Sequence, residues 1–265
     1  MGQPFKAVAL GVTTTNKFRA AVASIGAGAV AGFGAGVLCA FIGAAAVGVI
    51  AGNTDGSTAG WSFARMANLA PTGGAPTMAR FSCTIIRAGG VAVTAVASVP
   101  ESFLNGRFVF LELNYNTGST LDFYVNGSLV ASEAVASAFV PGASGLTLGG
   151  GQASDVGTTA NVVSAYYTTA TNYRNVVSAH NVLFDNIVAI GGAAVRGTFD
   201  AIVLAGGAPQ DAVYEIWDLR PSSAATQLLS NHGVLGVAAD LTRTSNTPFV
   251  LSAVQGVFSG NTLGV

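Results

Sequence analysis

The stretch LDFYVNGSLVASEA, Leu121 to Ala134, decides the fold. Leu121, Phe123 and Val125 alternate with Asp122, Tyr124 and Asn126, which is the period of a strand with one buried face. Asn126-Gly127 interrupts the run before Leu129 and Val130 resume it. Both central residues of a type I′ turn need positive φ, and Asn and Gly adopt it at least cost. The stretch therefore predicts a strand, a tight structural turn at Asn126 and Gly127, and a returning strand.

Outward from this hairpin the same punctuation recurs. Short apolar runs alternate with turn-forming clusters such as GNTDGSTAG, APTGGAPT, NYNTGST and VPGASG. The runs that read as strands are GVLCAFIG, GWSFARM, ARFSCTIIRAG, VAVTAVAS, RFVFLELNY, STLDFYVNG, SLVASEA, GLTLGG, HNVLFDNIVAIG, TFDAIVLAG and TPFVLSAVQGVFSG. Regular turn signals between short β-branched runs predict an all-β sandwich or barrel. The exception is APQDAVYEIWDLRP, which predicts a short helix. Pro209 suits its start, Asp211 complements its positive end, Val213, Ile216 and Trp217 share a face, and Pro221 stops it. FDNIVAIGGA (Phe184 to Ala193) and FDAIVLAGGA (Phe199 to Ala208) echo one another. Two copies are too few for a solenoid, so they read as two similar strands ending in Gly-Gly turns, or as a duplicated site on Asp185 and Asp200.

At 265 residues the chain can bury a large core as one domain. Only 9% of residues are charged, against about 25% in an average soluble protein, and the net charge is -1. The eleven basic residues are scattered, which excludes a phosphate-tracking surface and with it nucleic acid as a partner. Cys39 and Cys83 lie in apolar stretches, as buried thiols or as one bridge. With His180 and His232 the only histidines and no CxxC pair, a Cys/His zinc site is excluded. Residues 20–54 carry no charge and eight glycines. Glycine is a poor helix former, so the span reads as buried strands. A membrane helix, or a signal peptide preceded by Lys6, Lys17 and Arg19, is the alternative. With Met1 present, the N-terminus is expected to be unprocessed.

GRFVFLELNYNTGSTLDFYVNGSLVASEA, Gly106 to Ala134, resembles the signature hairpin of the laminin-G-like and concanavalin-A-like lectin and glucanase superfamily. That hairpin runs roughly G-x-W-H-H-V-A-x-T-Y-D, then through a Gly turn into x-L-x-L-Y-V-N-G. Phe108 stands where the family often has Trp, Tyr115 matches its Tyr, and Asn116 replaces its Asp. Tyr124, Val125, Asn126 and Gly127 match outright. FDNIVAIGGAAV is more loosely similar to a late strand of the family, and VYEIWD to a short helix near its end. The resemblance implies an antiparallel jelly-roll β-sandwich over residues 20–219, with an N-terminal arm at 1–19 and a C-terminal extension at 220–265. Its members include enzymes, lectins, adhesion modules and virion proteins, so fold alone leaves function open.

The family's glucanases carry an E-x-D-x-x-E strand whose carboxylates act as nucleophile and general acid; this chain has none. Glu215 and Asp218 read as a solvated helix face, and Glu112 as the solvent side of a half-buried strand. Neither histidine has a nucleophile partner, no G-x-S-x-G occurs, and GAGAVAGFGAG (Gly26 to Gly36) lacks the spacing of a nucleotide loop. No catalytic residue is expected. The resemblance makes calcium the one ion to consider, through Asp55, Asp155, Asp185 and Asn186. None of these fits a ligand pattern, so no cofactor is expected. A sugar platform would draw on Tyr166, Tyr167, Asn172, Tyr173 and Asn175, whose other reading is tyrosine packing in a long loop. The expectation is a non-enzymatic structural or binding module. The first form is a homo-oligomeric virion-surface protein of a tailed phage, a capsid-decoration or tail-associated subunit contacting other virion proteins and a host surface glycan. The other is a glycan-binding lectin or adhesin, secreted or membrane-tethered.

Overall fold

Alternating apolar positions fold into sixteen strands in the computed structural model, which describes residues 5–10, 17–21, 32–41, 47–104, 108–116, 120–125, 128–151, 157, 160–168, 215–218, 228–229, 235–243 and 252–254. In chain order they are β1 (Phe5–Leu10), β2 (Phe18–Ala20), β3 (Gly32–Ala40), β4 (Gly48–Gly52), β5 (Trp61–Leu69), β6 (Met78–Arg87), β7 (Val91–Pro100) and β8 (Phe108–Asn116). There follow β9 (Thr120–Val125), β10 (Ser128–Ala134), β11 (Thr147–Leu148), β12 (Ala160–Thr168), β13 (Glu215–Asp218), β14 (Leu228–Leu229), β15 (Leu241–Arg243) and β16 (Ser252–Val254).

The strands build two antiparallel sheets. One runs β10-β9-β8-β3-β12-β1-β16, with β13 also paired to β12. The other runs β14-β15-β2-β11-β4-β5-β6-β7. Between successive described strands the chain crosses from sheet to sheet at β1 to β2, β2 to β3, β3 to β4, β7 to β8, β10 to β11, β11 to β12, β13 to β14 and β15 to β16. The result is an antiparallel β-sandwich, as expected from the turn spacing. The hairpin lies at the edge of the first sheet, with Val125 opposite Ser128 and Tyr124 opposite Leu129. Asn126 and Gly127 lie outside the described residues.

Aromatic residues from both sheets fill the space between them. Phe33 of β3 lies 6.4 Å from Trp61 of β5, 5.8 Å from Tyr115 of β8 and 4.6 Å from Phe139, while Phe63 of β5 stacks on Phe123 of β9 at 6.1 Å. Such pairs add to the area they bury. Tyr115 keeps its hydroxyl satisfied by accepting the Phe139 amide at 2.9 Å.

Residues 20–54 supply strands, but β3 and β4 enter opposite sheets and do not pair with each other. The span expected as an N-terminal arm gives β1 to one sheet and β2 to the other. The helix expected over APQDAVYEIWDLRP is corrected at its described core. Glu215–Asp218 is a strand, with Ile216 opposite Tyr166 and Trp217 opposite Ala165. Trp217 is buried and donates its indole N–H to the Ala239 carbonyl at 2.8 Å, so tertiary packing overrides a local helical pattern. The echoed segments 184–193 and 199–208 lie outside the described residues.

Candidate functional site

Strand β3 alternates large and absent side chains. Phe33, Ala35, Val37 and Cys39 fill the core, which leaves Gly32, Gly34 and Gly36 on the outer face. On β8, Val109, Leu111, Leu113 and Tyr115 point to the core, and Phe110, Glu112 and Asn114 share the glycines' face. Opposed residues of paired strands project to the same side, so register builds two rows across the sheet. One row is Tyr166, Gly36, Glu112 and Tyr124; the next is Thr168, Gly34, Asn114 and Asp122. Between the flanking strands the floor is bare backbone, and Gly32, Gly34 and Gly36 are themselves buried.

Glu112 and Asn114 are both buried, which corrects the expectation that Glu112 faces solvent. β8 lies between β9 and β3, and Val109 to Tyr115 is buried on both faces. The Asn114 Oδ1 atom is buried with no hydrogen-bond partner, leaving a strong acceptor unsatisfied on the strip. At the margin, Asp122 accepts a 2.5 Å hydrogen bond from the Ser132 hydroxyl. In the β12–β3 register Tyr166 is opposite Gly36 and Tyr167 opposite Ala35. Asn172, Tyr173 and Asn175 lie outside the described residues. The G-x-G-x-G alternation at Gly32–Gly36 is legible in sequence as a strand with one bare face; nucleotide-loop spacing is the wrong template for it.

Asp55, the one calcium candidate that is described, is occupied within its own loop. Its Oδ1 accepts the amides of Ser57 (3.0 Å), Thr58 (2.7 Å) and Ala59 (2.9 Å), and its Oδ2 accepts the Thr58 hydroxyl. The Thr58 hydroxyl first, then the amides, hold its carboxyl well below the usual carboxylate range. Asp155, Asp185 and Asn186, like His180 and His232, lie outside the described residues. Among the described residues no three His, Cys, Asp or Glu side chains gather at one point. Glu215 and Asp218 are the two end residues of strand β13, not neighbours on a helix.

Arg65 is a further feature that composition alone does not reveal. It occupies a core-facing position of β5, after Trp61 and Phe63, and is buried. Its guanidinium donates to the carbonyls of Met66 (3.2 Å) and Arg80 (3.0 Å) and to Asn68 Oδ1 (2.5 Å), and Asn68 donates to Glu101 at 2.8 Å. Burial pulls its pKa down, partly offset by Glu101. Cys39 and Cys83 are free and buried in opposite sheets, and burial pushes both thiols far up. Among the described residues no helix is long and apolar enough to cross a membrane.

No described protein family and no curated protein matches the chain. Among solved structures it is similar to the binding domain of botulinum neurotoxin DC in complex with SialylT, at 12% identity and a TM-score of 0.43, over 59% of this chain and 36% of that one. It is similar to the binding domain of botulinum neurotoxin serotype D/C, at 11% identity and a TM-score of 0.41, over 68% of this chain and 52% of that one. A third is the structure described under cell entry of botulinum neurotoxin type C through interaction with two ganglioside molecules, at 12% identity and a TM-score of 0.41, over 58% and 35%. The chain thus spans between about a third and a half of the length of these structures. The fold assignment rests on the strand registers of the chain itself.

Proposed function

We propose that this chain is a non-enzymatic β-sandwich module that works in an assembly, as a surface component of a virion of the capsid-decoration or tail-associated kind found in tailed phages. The observation that carries the reading is the flank where β7 packs against β9 and β10. There the edge strands of both sheets lie side by side, with Val91, Leu129 and Val130 exposed. A lone soluble domain commonly shows about 25–35% charged residues on its surface, whereas 9% of this chain is charged. Open edges and weak charge repulsion suit a subunit that is covered by its neighbours. The partners are copies of itself and other proteins of the particle. Light scattering of the purified full chain tests this: a mass that is a multiple of the 26.4 kDa chain is expected, and a monodisperse monomer at micromolar concentration would contradict it.

A second reading, a glycan-binding module, is favoured by the half-buried outer face of β9 at the margin of the glycine strip. Beside that buried strip, Thr120, Asp122 and Tyr124 of β9 are half-buried on one face and offer the hydroxyl, carboxylate and aromatic groups that sugar recognition uses. It is tested on an array that includes ganglioside headgroups, with Tyr124→Ala expected to abolish any signal. Retained binding in that variant would move the site elsewhere. In either reading no hydrolysis is expected; release of reducing ends from a β-glucan, abolished by Glu112→Gln, would overturn the non-enzymatic assignment.

A further inference from the structure

We infer that the exposed edge of β7 is a homotypic interface, where a second copy of this chain pairs antiparallel with the same strand and joins the two β7-edged sheets into one. The inference rests on the assembly reading and names its surface.

The four ends of the two sheets are unequal. Among the described residues the far edges end in short strands, two residues in β14 and three in β16. β10 is seven residues long and exposed along most of its length, but it is guarded. Leu129 and Ala131 oppose the consecutive residues Tyr124 and Phe123, so Val130 is the extra residue of a bulge, and Glu133 adds a charge. Bulges and charges are the devices by which edge strands avoid pairing with other chains. β7 has neither. Its ten residues, VAVTAVASVP, include no charge and no proline before the last position. It pairs with β6 from Arg87↔Val91 to Met78↔Pro100 in unbroken register, without a bulge. A long, regular, uncharged strand whose outer side pairs with no other described strand is a template for another strand.

The chemistry at its two ends selects a copy of the chain as the occupant. Antiparallel pairing of β7 with itself sets the Val91 end of each strand against the Pro100 end of the other. Arg87, which donates to Ser137, lies beside Val91 on β6 at the first end, and Glu101, which accepts from Asn68, follows Pro100 at the second, so the pairing brings a cation and an anion to the same end twice. The same ends carry Val91, 44% exposed, and Phe103, 53% exposed, which the pairing covers together. Along the middle, Thr94 and Val96 lie on the outer face and Ala95 and Ala97 on the core face, so small uncharged residues meet near the two-fold axis. Arg80, beside Ser98, meets no cation on the partner's β7.

The test uses the full chain in sedimentation velocity over a micromolar concentration series, with Val96→Lys placing two ammonium groups near the axis and Leu129→Lys as the control on the β10 edge. Like-charge juxtaposition at an interface is strongly unfavourable, and each 1.4 kcal/mol is tenfold in affinity. Val96→Lys is therefore expected to raise the self-dissociation constant by at least about tenfold, with Leu129→Lys unchanged. Val96→Cys supplies a second readout. Oxidation should yield a disulfide-linked dimer, because native Cys39 and Cys83 are fully buried and do not compete. An oligomer insensitive to Val96→Lys, or broken by Leu129→Lys, overturns the β7 interface and leaves the assembly reading standing. Wild type that is monomeric throughout, with no cross-linking of Val96→Cys, overturns both. If Val96→Lys fails to fold, absence of a Val96→Cys dimer alone overturns the inference.

Discussion

The guanidinium carbon of Arg65 lies 5.2 Å from the centre of the Phe81 ring and 6.0 Å from that of Phe41, on the core-facing side of β5. The flat cation is stacked where an aliphatic side chain would be expected, and its charge leaves the core through Asn68 to Glu101. A buried charged network of this kind is replaced by an apolar residue of similar size at little cost, whereas truncation leaves a cavity. Arg65→Met should therefore unfold in urea within about 1 kcal/mol of wild type, and Arg65→Ala should lose roughly 2–4 kcal/mol. Equal losses in the two variants would show that the charge, not the stacked volume, holds this end of the sandwich.

Three segments meet around Gly60 in a closed ring of backbone hydrogen bonds: Gly60 N–H to the Val140 carbonyl (2.8 Å), Val140 N–H to Ile86 (2.9 Å) and Ile86 N–H to Gly60 (2.9 Å). Gly60 has φ +93°, and a Cβ there would lie 2.5 Å from the Asn53 carbonyl oxygen; a Cβ on Gly142 would lie 2.2 Å from the same atom. Neither backbone can yield without opening the ring. Gly60→Ala and Gly142→Ala should each cost about 3 kcal/mol or more, while Gly73→Ala, in open space at φ +60°, costs about 1 kcal/mol. Chemical denaturation of the three variants gives the comparison, and a Gly142→Ala variant as stable as wild type would contradict the close approach.

Asp55 makes the stability of its loop depend on pH in a defined direction. Its folded pKa is depressed, so its contribution is fully present above the ordinary carboxylate value of about 3.9 and is lost as pH falls through the lower folded value. The side chain is exposed, and solvent screening keeps the effect small. Asp55→Asn should melt about 1–2 °C below wild type at pH 7, with the gap closing below about pH 3. A gap of constant size down to pH 2 would show that shape rather than charge caps the loop.

Cys39 and Cys83 should be silent toward a thiol reagent in the native protein and both react on unfolding, because each is fully buried and held as the neutral thiol. Titration with a chromogenic disulfide at neutral pH reads this directly. Rapid reaction of either thiol before unfolding would place it at the surface.

Much of the sandwich was legible in the sequence because β5 to β7 and β8 to β10 are local hairpins with turn chemistry between them. Phe123 and Val125 alternate with Tyr124, and Ala88-Gly89-Gly90 closes β6 onto β7, so short-range pattern suffices there. The G-x-G-x-G alternation marks the bare face of β3, but the pairings of β12 and β8 with that strand were not legible. They depend on which distant strand lies beside Gly34 and Gly36, and no local period reports that. Glu112 was misread because alternation marks one face as polar without saying whether that face stays wet. Trp217 was misread because its indole finds the Ala239 carbonyl, twenty-two residues on, and that contact outweighs the helical pattern around it.

Hydrogen exchange across Val91–Pro100 tests the assembly account most directly, since it reads the outward amides of β7 in the unmodified chain. Protection of that segment should rise with protein concentration over the micromolar range and fall on dilution, while β10 exchanges at one rate throughout. Exchange of β7 that is as fast as that of β10 and independent of concentration would contradict it.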